Sequence, residues 1–187
     1  MRYYLMHKEE KIKLNVGCGR DIKKDYVNLD KIKAKGVDVV HELNNFPYPF
    51  KDNTFDEIYA SQIIEHLNNP EKFIKELWRI SRKNAKILIG TVHFSSPCVW
   101  GDITHKRPFQ SDTMNWCNIK HMNNGNLSLI DANEERFNIK QTIHFRYFFK
   151  PLKYLVNINR YTQLIYERYF SGIFRADGQS YEMEVIK

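Results

Sequence analysis

Cysteine is scarce: three residues, Cys18, Cys98 and Cys117, in a chain of 187. Their odd number and scatter exclude a disulfide framework and favour a reducing, cytoplasmic setting. No apolar run is long enough to span a membrane. The first residues, Met1-Arg2-Tyr3-Tyr4-Leu5-Met6-His7-Lys8, lack the apolar core of a secretory signal. No internal repeat is visible. Ligand-type residues do not fall at paired zinc spacings: His93, Cys98, His105, Cys117 and His121 form no Cys-x₂-Cys or His-x₃-His pattern, so no metal site is expected. Basic residues are in excess, with a net charge of +7 and a pI near 9.2, but they are dispersed. Lys23-Lys24 and Lys31, Lys33 and Lys35 are the only local clusters. A nucleic-acid platform needs basic side chains on one face, interleaved with exposed aromatics. RNA is therefore an alternative partner and not the favoured one.

What is present suits one domain over residues 1–187, with 42% hydrophobic and 27% charged residues. Its most informative stretch is Lys13-Leu14-Asn15-Val16-Gly17-Cys18-Gly19 followed by Tyr26-Val27-Asn28-Leu29-Asp30. Ile12, Leu14 and Val16 alternate with polar residues as a half-buried strand does. Gly17 and Gly19 permit positive φ and present no Cβ to a ligand lying against the main chain. Asp30, ending the next strand, is placed to accept hydrogen bonds from ribose hydroxyls. Ligands of open α/β sheets bind beyond the carboxyl ends of the strands, at the switch point.

A dinucleotide is disfavoured. Its fingerprint requires a third glycine, where this chain has Ile22, and an acidic residue about 20 positions on. The short connection between Gly19 and Tyr26 leaves no room for a normal helix facing a pyrophosphate. A nucleoside ligand without phosphates, S-adenosylmethionine, fits better.

The run Asp52-Asn53-Thr54-Phe55-Asp56-Glu57-Ile58-Tyr59-Ala60-Ser61-Gln62-Ile63-Ile64-Glu65-His66-Leu67 resembles the fourth strand and following turn of class I methyltransferases. Val37 to Leu43 resembles their third strand. Asn69 and Pro70 suit the N-cap and first position of a helix bearing Phe73, Ile74, Leu77, Trp78 and Ser81 on one face. Ile87-Leu88-Ile89 follows as a fifth strand. The likeness is to small methyltransferase-type-11-like proteins with a shortened first helix, and extends to His93-Phe94-Ser95-Ser96, Trp100-Gly101-Asp102 and Thr104-His105. Asn84-Ala85 replaces the family's two glycines before strand five, but Asn tolerates the left-handed conformation.

The resemblance implies a Rossmann-like α/β fold: a mostly parallel seven-stranded sheet of order 3-2-1-4-5-7-6, flanked by helices, with an antiparallel last strand and a short or missing first helix. It implies S-adenosylmethionine as cofactor, held by Gly17, Cys18, Gly19 and Asp30, with Glu42 and Leu43 near adenine and Ser61 and Gln62 on the methionine side.

Methyl transfer needs an in-line nucleophile and, for oxygen or nitrogen acceptors, loss of a proton. His66, after strand four, is a base candidate, or else it packs the turn before Asn69. His105 is the second candidate, with Asp102 to orient it or to tie the loop down. His93, Trp100, Asp102 and Arg107 are placed on the acceptor side, Arg107 to hold an anionic group. Cys18 reads as a small residue of the turn with no nucleophilic role.

The turn after strand four, Ala60-Ser61-Gln62-Ile63, is unlike the Asn-Pro-Pro-Tyr of enzymes methylating DNA bases or glutamine. A small-molecule, sugar or lipid-linked acceptor is expected first, an RNA second, and a non-catalytic cofactor-binding protein third. In the second half, Ser111 could cap a short helix with Met114 and Trp116, and Asn123-Asn124-Gly125 signals a turn. Residues 137–149 and 181–185 read as strands, and 157–170 as a helix. The aromatic-basic stretch 144–154 is either a buried sheet edge or a contact patch.

Overall fold

In the computed structural model, residues 11–118, 136–146 and 149–187 are described. The turn expected at 123–125, His121 and part of the 144–154 stretch lie outside them. Seven strands form one sheet in the order β3-β2-β1-β4-β5-β7-β6, as expected. They are β1 (Lys13–Val16), β2 (Val27–Asp30), β3 (Val39–Val40), β4 (Phe55–Ser61), β5 (Ser81–Val92), β6 (Arg136–His144) and β7 (Gly178–Ile186). β3, β2, β1, β4 and β5 run parallel, and β7 is antiparallel to both β5 and β6. β3 is much shorter than the Val37–Leu43 expectation, because Glu42 and Leu43 have already left the sheet.

Register brings the site together. Val16 pairs with Leu29 on one side and Ala60 on the other, so Gly17, Asp30 and Ser61 leave the same sheet edge side by side.

No helix joins β1 to β2; side-chain hydrogen bonds hold that connection instead. The buried pair Asn15 and Asn28 stand opposite each other in the two strands. Asn15 Nδ2 donates to Asn28 Oδ1 (2.9 Å) and to the Asp21 carbonyl (2.7 Å). Asn28 Oδ1 accepts from Lys23 N at 2.9 Å, while its Nδ2 donates to the Lys23 carbonyl at 3.0 Å. Two buried amides thereby satisfy the backbone polar groups that a helix would have satisfied internally.

Helix α1 (Pro70–Ile80) begins where its sequence says: Asn69 Oδ1 caps Lys72 N at 2.9 Å, and Pro70 fills a position whose N–H needs no partner. It buries Phe73, Ile74, Leu77 and Ile80 against the sheet, each contributing about 1.5–3 kcal/mol. Ser81 is not on this face; it ends the helix, its hydroxyl donating to the Leu77 carbonyl, and opens β5. Asn84 adopts φ +61° within β5, the left-handed conformation anticipated for the glycine-replacing turn.

The remaining elements among the described residues are α2 (Pro97–Gly101), α3 (Leu152–Val156), α4 (Arg160–Ile165) and two 3₁₀ turns, Ile64–His66 and Ser111–Cys117. A single π turn, Tyr166–Phe170, continues α4. Ser111 is inside its turn and does not cap it; its N–H and hydroxyl both donate to Glu167. A second small core of Ile143, Phe145, Val156, Tyr166 and Ala176 packs α3 and the π turn after α4 against β6. The stretch 144–154 is thus divided, Phe145 buried and Tyr154 77% exposed. No helix among the described residues is long and apolar enough to cross a membrane.

Candidate active site at the ends of the parallel strands

The turn after β1 is held by two backbone hydrogen bonds, Gly17 N and Cys18 N both donating to the Leu29 carbonyl (2.8 and 3.0 Å). Gly17 and Gly19 take φ of +65° and +50°, where a Cβ is strained. Their surroundings differ. A Cβ on Gly17 would sit 2.2 Å from Ile63 Cγ1, so that empty space belongs to the turn after β4. A Cβ on Gly19 would meet nothing within 4 Å, leaving this the open backbone of the pair. Asp30 stands beside it: Oδ2 accepts from Gly19 N at 2.8 Å and Oδ1 from Ile32 N at 2.9 Å. Each oxygen retains a lone pair for a further donor. Burial, and then the charge of Asp30, push the Cys18 thiol above its ordinary pKa, which disfavours the reactive thiolate.

Glu42 Oε1 accepts from Asn44 N and Nδ2 (3.2 and 3.1 Å), and Leu43 is buried beside it. Gln62 has φ +55° and its N–H donates to the Gly90 carbonyl, tying the end of β4 to β5. Ser61 faces Gly90, whose added Cβ would lie 3.4 Å from the Ser61 hydroxyl.

Ile63, whose side chain lies against Gly17, leads from β4 into the 3₁₀ turn, and here the polar cluster begins. The loop from Asp102 to Arg107 lies on this turn: Lys106 N donates to the Glu65 carbonyl (2.8 Å) and Arg107 Nη2 to the Asn68 carbonyl (3.0 Å). The rings of His66 and His105 come to 4.8 Å, centroid to centroid. His66 Nδ1 is 2.9 Å from Thr104 Oγ1, which donates in turn to Asp102 Oδ1 at 2.6 Å. The Thr104 hydroxyl and N–H hold the Asp102 carboxyl below its usual pKa. His105 Nδ1 is 3.2 Å from the Val99 carbonyl, and its Nε2 is 3.7 Å from Asp102 Oδ2. Beneath the two rings is Glu65, fully buried, its Oε2 accepting from Thr91 Oγ1 at 2.9 Å. Burial pushes its carboxyl above the ordinary carboxylate range.

Thus two sets of sequence-derived residues assemble: Gly17, Cys18, Gly19 and Asp30, and then His66, Asp102, His105 and Arg107. His93 and Trp100 join neither. His93 is fully buried with both ring nitrogens engaged, Nδ1 by Ser95 Oγ (2.9 Å) and Nε2 by Glu167 Oε1 (3.1 Å). Trp100 is 75% exposed. Sequence reasoning passed over Glu65, Glu167 and the Asn15–Asn28 pair, all polar residues that are buried by distant segments. An acidic residue flanked by apolar Ile63, Ile64 and Leu67 was the one available signal for Glu65.

Comparison with known proteins bears on the domain and the fold. Residues 14–89 match a family described as a methyltransferase domain. Over 78 residues, 42% of this chain, it is 32% identical to an uncharacterised protein of Methanocaldococcus jannaschii, covering 37% of that protein. Over 74 residues, 40% of this chain, it is 36% identical to norajmaline N-methyltransferase of Rauvolfia serpentina, covering 23% of it. The match therefore spans between about a quarter and two-fifths of those relatives' lengths. A solved S-adenosylmethionine-dependent methyltransferase from Archaeoglobus fulgidus shares the fold, with a TM-score of 0.61 over 95% of this chain and 87% of that one, at 15% identity.

Proposed function

We propose that this chain, whose residues 14–89 match a methyltransferase domain and whose fold is shared with a solved S-adenosylmethionine-dependent methyltransferase, is itself a class I S-adenosylmethionine-dependent methyltransferase acting on a small-molecule, sugar or lipid-linked acceptor. The observation carrying this reading is the Asp30 carboxylate, fixed by Gly19 N, where a Cβ on Gly19 would meet nothing within 4 Å among the described residues. That arrangement fits the cofactor's nucleoside. Asp30 has unused lone pairs for the two ribose hydroxyls, and Gly19 lets the ligand approach the main chain. Glu42 and Leu43 border adenine, and Ser61 and Gln62 the methionine portion.

Bound S-adenosylmethionine supplies a methyl group already activated by its sulfonium. The protein's task is to align the acceptor, which can lower the barrier by about 7–11 kcal/mol, and to manage its proton. The His66–His105 pair borders the acceptor because the loops after β4 and β5 both end at the switch point. Arg107 gives that border a positive charge, favouring an anionic acceptor. A second reading, an RNA acceptor, draws on α3, α4 and the π turn, where exposed Tyr154, Tyr161 and Tyr169 are interleaved with Lys153, Arg160 and Arg168.

Titration calorimetry tests the cofactor site. Asp30→Ala should weaken S-adenosylmethionine binding by about 1.5–3 kcal/mol, the scale of hydrogen bonds to a charged group. Equal affinity in the two proteins refutes the role of Asp30. Incubating the protein with tritiated S-adenosylmethionine and fractionated cell extract tests the acceptor. Label in a small-molecule or lipid fraction is expected, label in RNA selects the second reading, and no transfer to any fraction overturns both.

A further inference from the structure

We propose that Glu65, His66 and His105 form a binding site for one divalent transition-metal ion of the zinc, cobalt or iron(II) type. A carboxylate oxygen of Glu65 and one ring nitrogen from each histidine all lie within 4.8 Å of one another. An independent feature points to a ligand here. Glu65 is fully buried, and its Oε1 has no hydrogen-bond partner, one of only three such side-chain atoms among the described residues. A buried carboxylate oxygen that accepts nothing is costly. A cation held between the three groups removes that cost.

The surrounding hydrogen bonds select which nitrogens are free. The Val99 carbonyl can only accept, so the His105 proton sits on Nδ1. Thr104 Oγ1 gives its proton to Asp102 Oδ1, so it accepts from His66 Nδ1. Both Nε2 atoms then carry lone pairs, the form in which imidazole ligates a metal, that of His105 lying 3.7 Å from Asp102 Oδ2, beyond hydrogen-bond distance. Thr104 and the Val99 carbonyl then play the part of the outer groups that orient ligating histidines, and Thr91 does the same for Glu65. Metal–ligand bonds of about 2.0–2.1 Å put tetrahedral ligand atoms about 3.4 Å apart. The three side chains need close in only by rotamer-scale movements, from a loop that Lys106 N already fastens to the Glu65 carbonyl.

Two imidazoles and one carboxylate suit zinc, iron(II) and cobalt better than magnesium, which prefers oxygen ligands. Three protein ligands leave a position open, as in metal sites that bind water or substrate. On the methyl-transfer reading, that position takes an oxygen of the acceptor, and the histidines serve as ligands in place of a general base. The absence of a paired spacing had argued against any metal, but this set joins adjacent residues of one turn to a loop beyond the next strand.

The test uses the full chain stripped with chelator, then titrated with Co²⁺ (followed by its visible absorption) and separately with Zn²⁺ and Mg²⁺ by calorimetry. One equivalent of Co²⁺ and of Zn²⁺ per chain is expected. His105→Ala should lower affinity about 100-fold or more, and Thr104→Val, which removes the hydroxyl orienting His66 together with its bond to Asp102 and takes away no ligand, by about 10–100-fold. Circular dichroism checks that each variant is folded; if Glu65→Gln is not, the two loop variants carry the test. No stoichiometric binding, binding of Mg²⁺ alone, or unchanged affinity in His105→Ala overturns the proposal. S-adenosylmethionine titrated into the stripped protein separates the two readings. Metal failure with cofactor binding intact sinks the metal site alone, and the reverse sinks the methyltransferase site alone.

Discussion

Replacing Gly17 by alanine should destabilise the fold, while the same change at Gly19 should spare the fold and damage the ligand site. At Gly17 two costs combine. The residue has φ +65°, and the left-handed conformation costs an L-residue roughly 1–2 kcal/mol. The new Cβ would also stand 2.2 Å from Ile63 Cγ1 and 2.4 Å from Cδ1. Rotating Ile63 could move those two atoms, but its Cβ remains at 3.4 Å, and the displaced chain packs against the core. Overpacking of this kind costs about 1–3 kcal/mol. The sum is about 2–5 kcal/mol. At roughly 2–4 °C per kcal/mol for a chain of this size, the melting temperature should fall by about 4–20 °C.

At Gly19 only the strain at φ +50° applies, about 1–2 kcal/mol, because nothing lies within 4 Å of the added methyl. Thermal melts followed by circular dichroism measure both variants, with Gly17→Ala/Ile63→Ala as the decisive third. Removing the Ile63 side chain should return the steric part of the Gly17→Ala loss, measured against Ile63→Ala alone, and leave the conformational part. S-adenosylmethionine affinity should fall more in Gly19→Ala than its small stability loss explains. Equal melting temperatures for the two single variants, or no coupling in the double variant, would show that Ile63 does not fill the space at Gly17.

Two further expectations concern groups away from the site. Glu76, 6% exposed, accepts from Tyr48 N (2.6 Å) and from Arg79 Nε (3.0 Å), while Arg79 also reaches Asp52. Glu76→Ala strands a buried N–H and leaves the guanidinium one carboxylate short, so urea unfolding should show a loss of about 2–4 kcal/mol; a change under about 0.5 kcal/mol contradicts this. His144, bonded through Nε2 to Ser180 Oγ, has its pKa lowered from 6.5 by burial first and by Lys153 second, against Glu182. The unfolded chain therefore binds this proton more readily, so the histidine's contribution is intact above its unfolded pKa of 6.5 and is lost as pH falls below it. Comparing urea unfolding at neutral and mildly acidic pH, wild type should lose more stability than His144→Asn, and an equal or smaller loss would refute the argument.

Short-range regularities were legible in the sequence. Alternation marked β1 and β7, Asn69-Pro70 marked the start of α1, and Asn84 marked the left-handed turn in β5, because each depends on the backbone preferences of a few adjacent residues. The glycine turn and Asp30 were legible for the same reason: parallel pairing of successive strands places their carboxyl ends together. From these the sheet order followed once the family likeness was admitted. What the tertiary structure decided depends on which distant segments meet. Two asparagines facing each other across β1 and β2 do the work of a missing helix, and Ile63 occupies the space of a glycine that the sequence assigned to the ligand. His93 is closed off by Glu167, a residue 74 positions away. Glu65 meets His105 only because a loop folds back onto its turn. Burial and the partners of a polar side chain are properties of that packing, and no local pattern of residues encodes them.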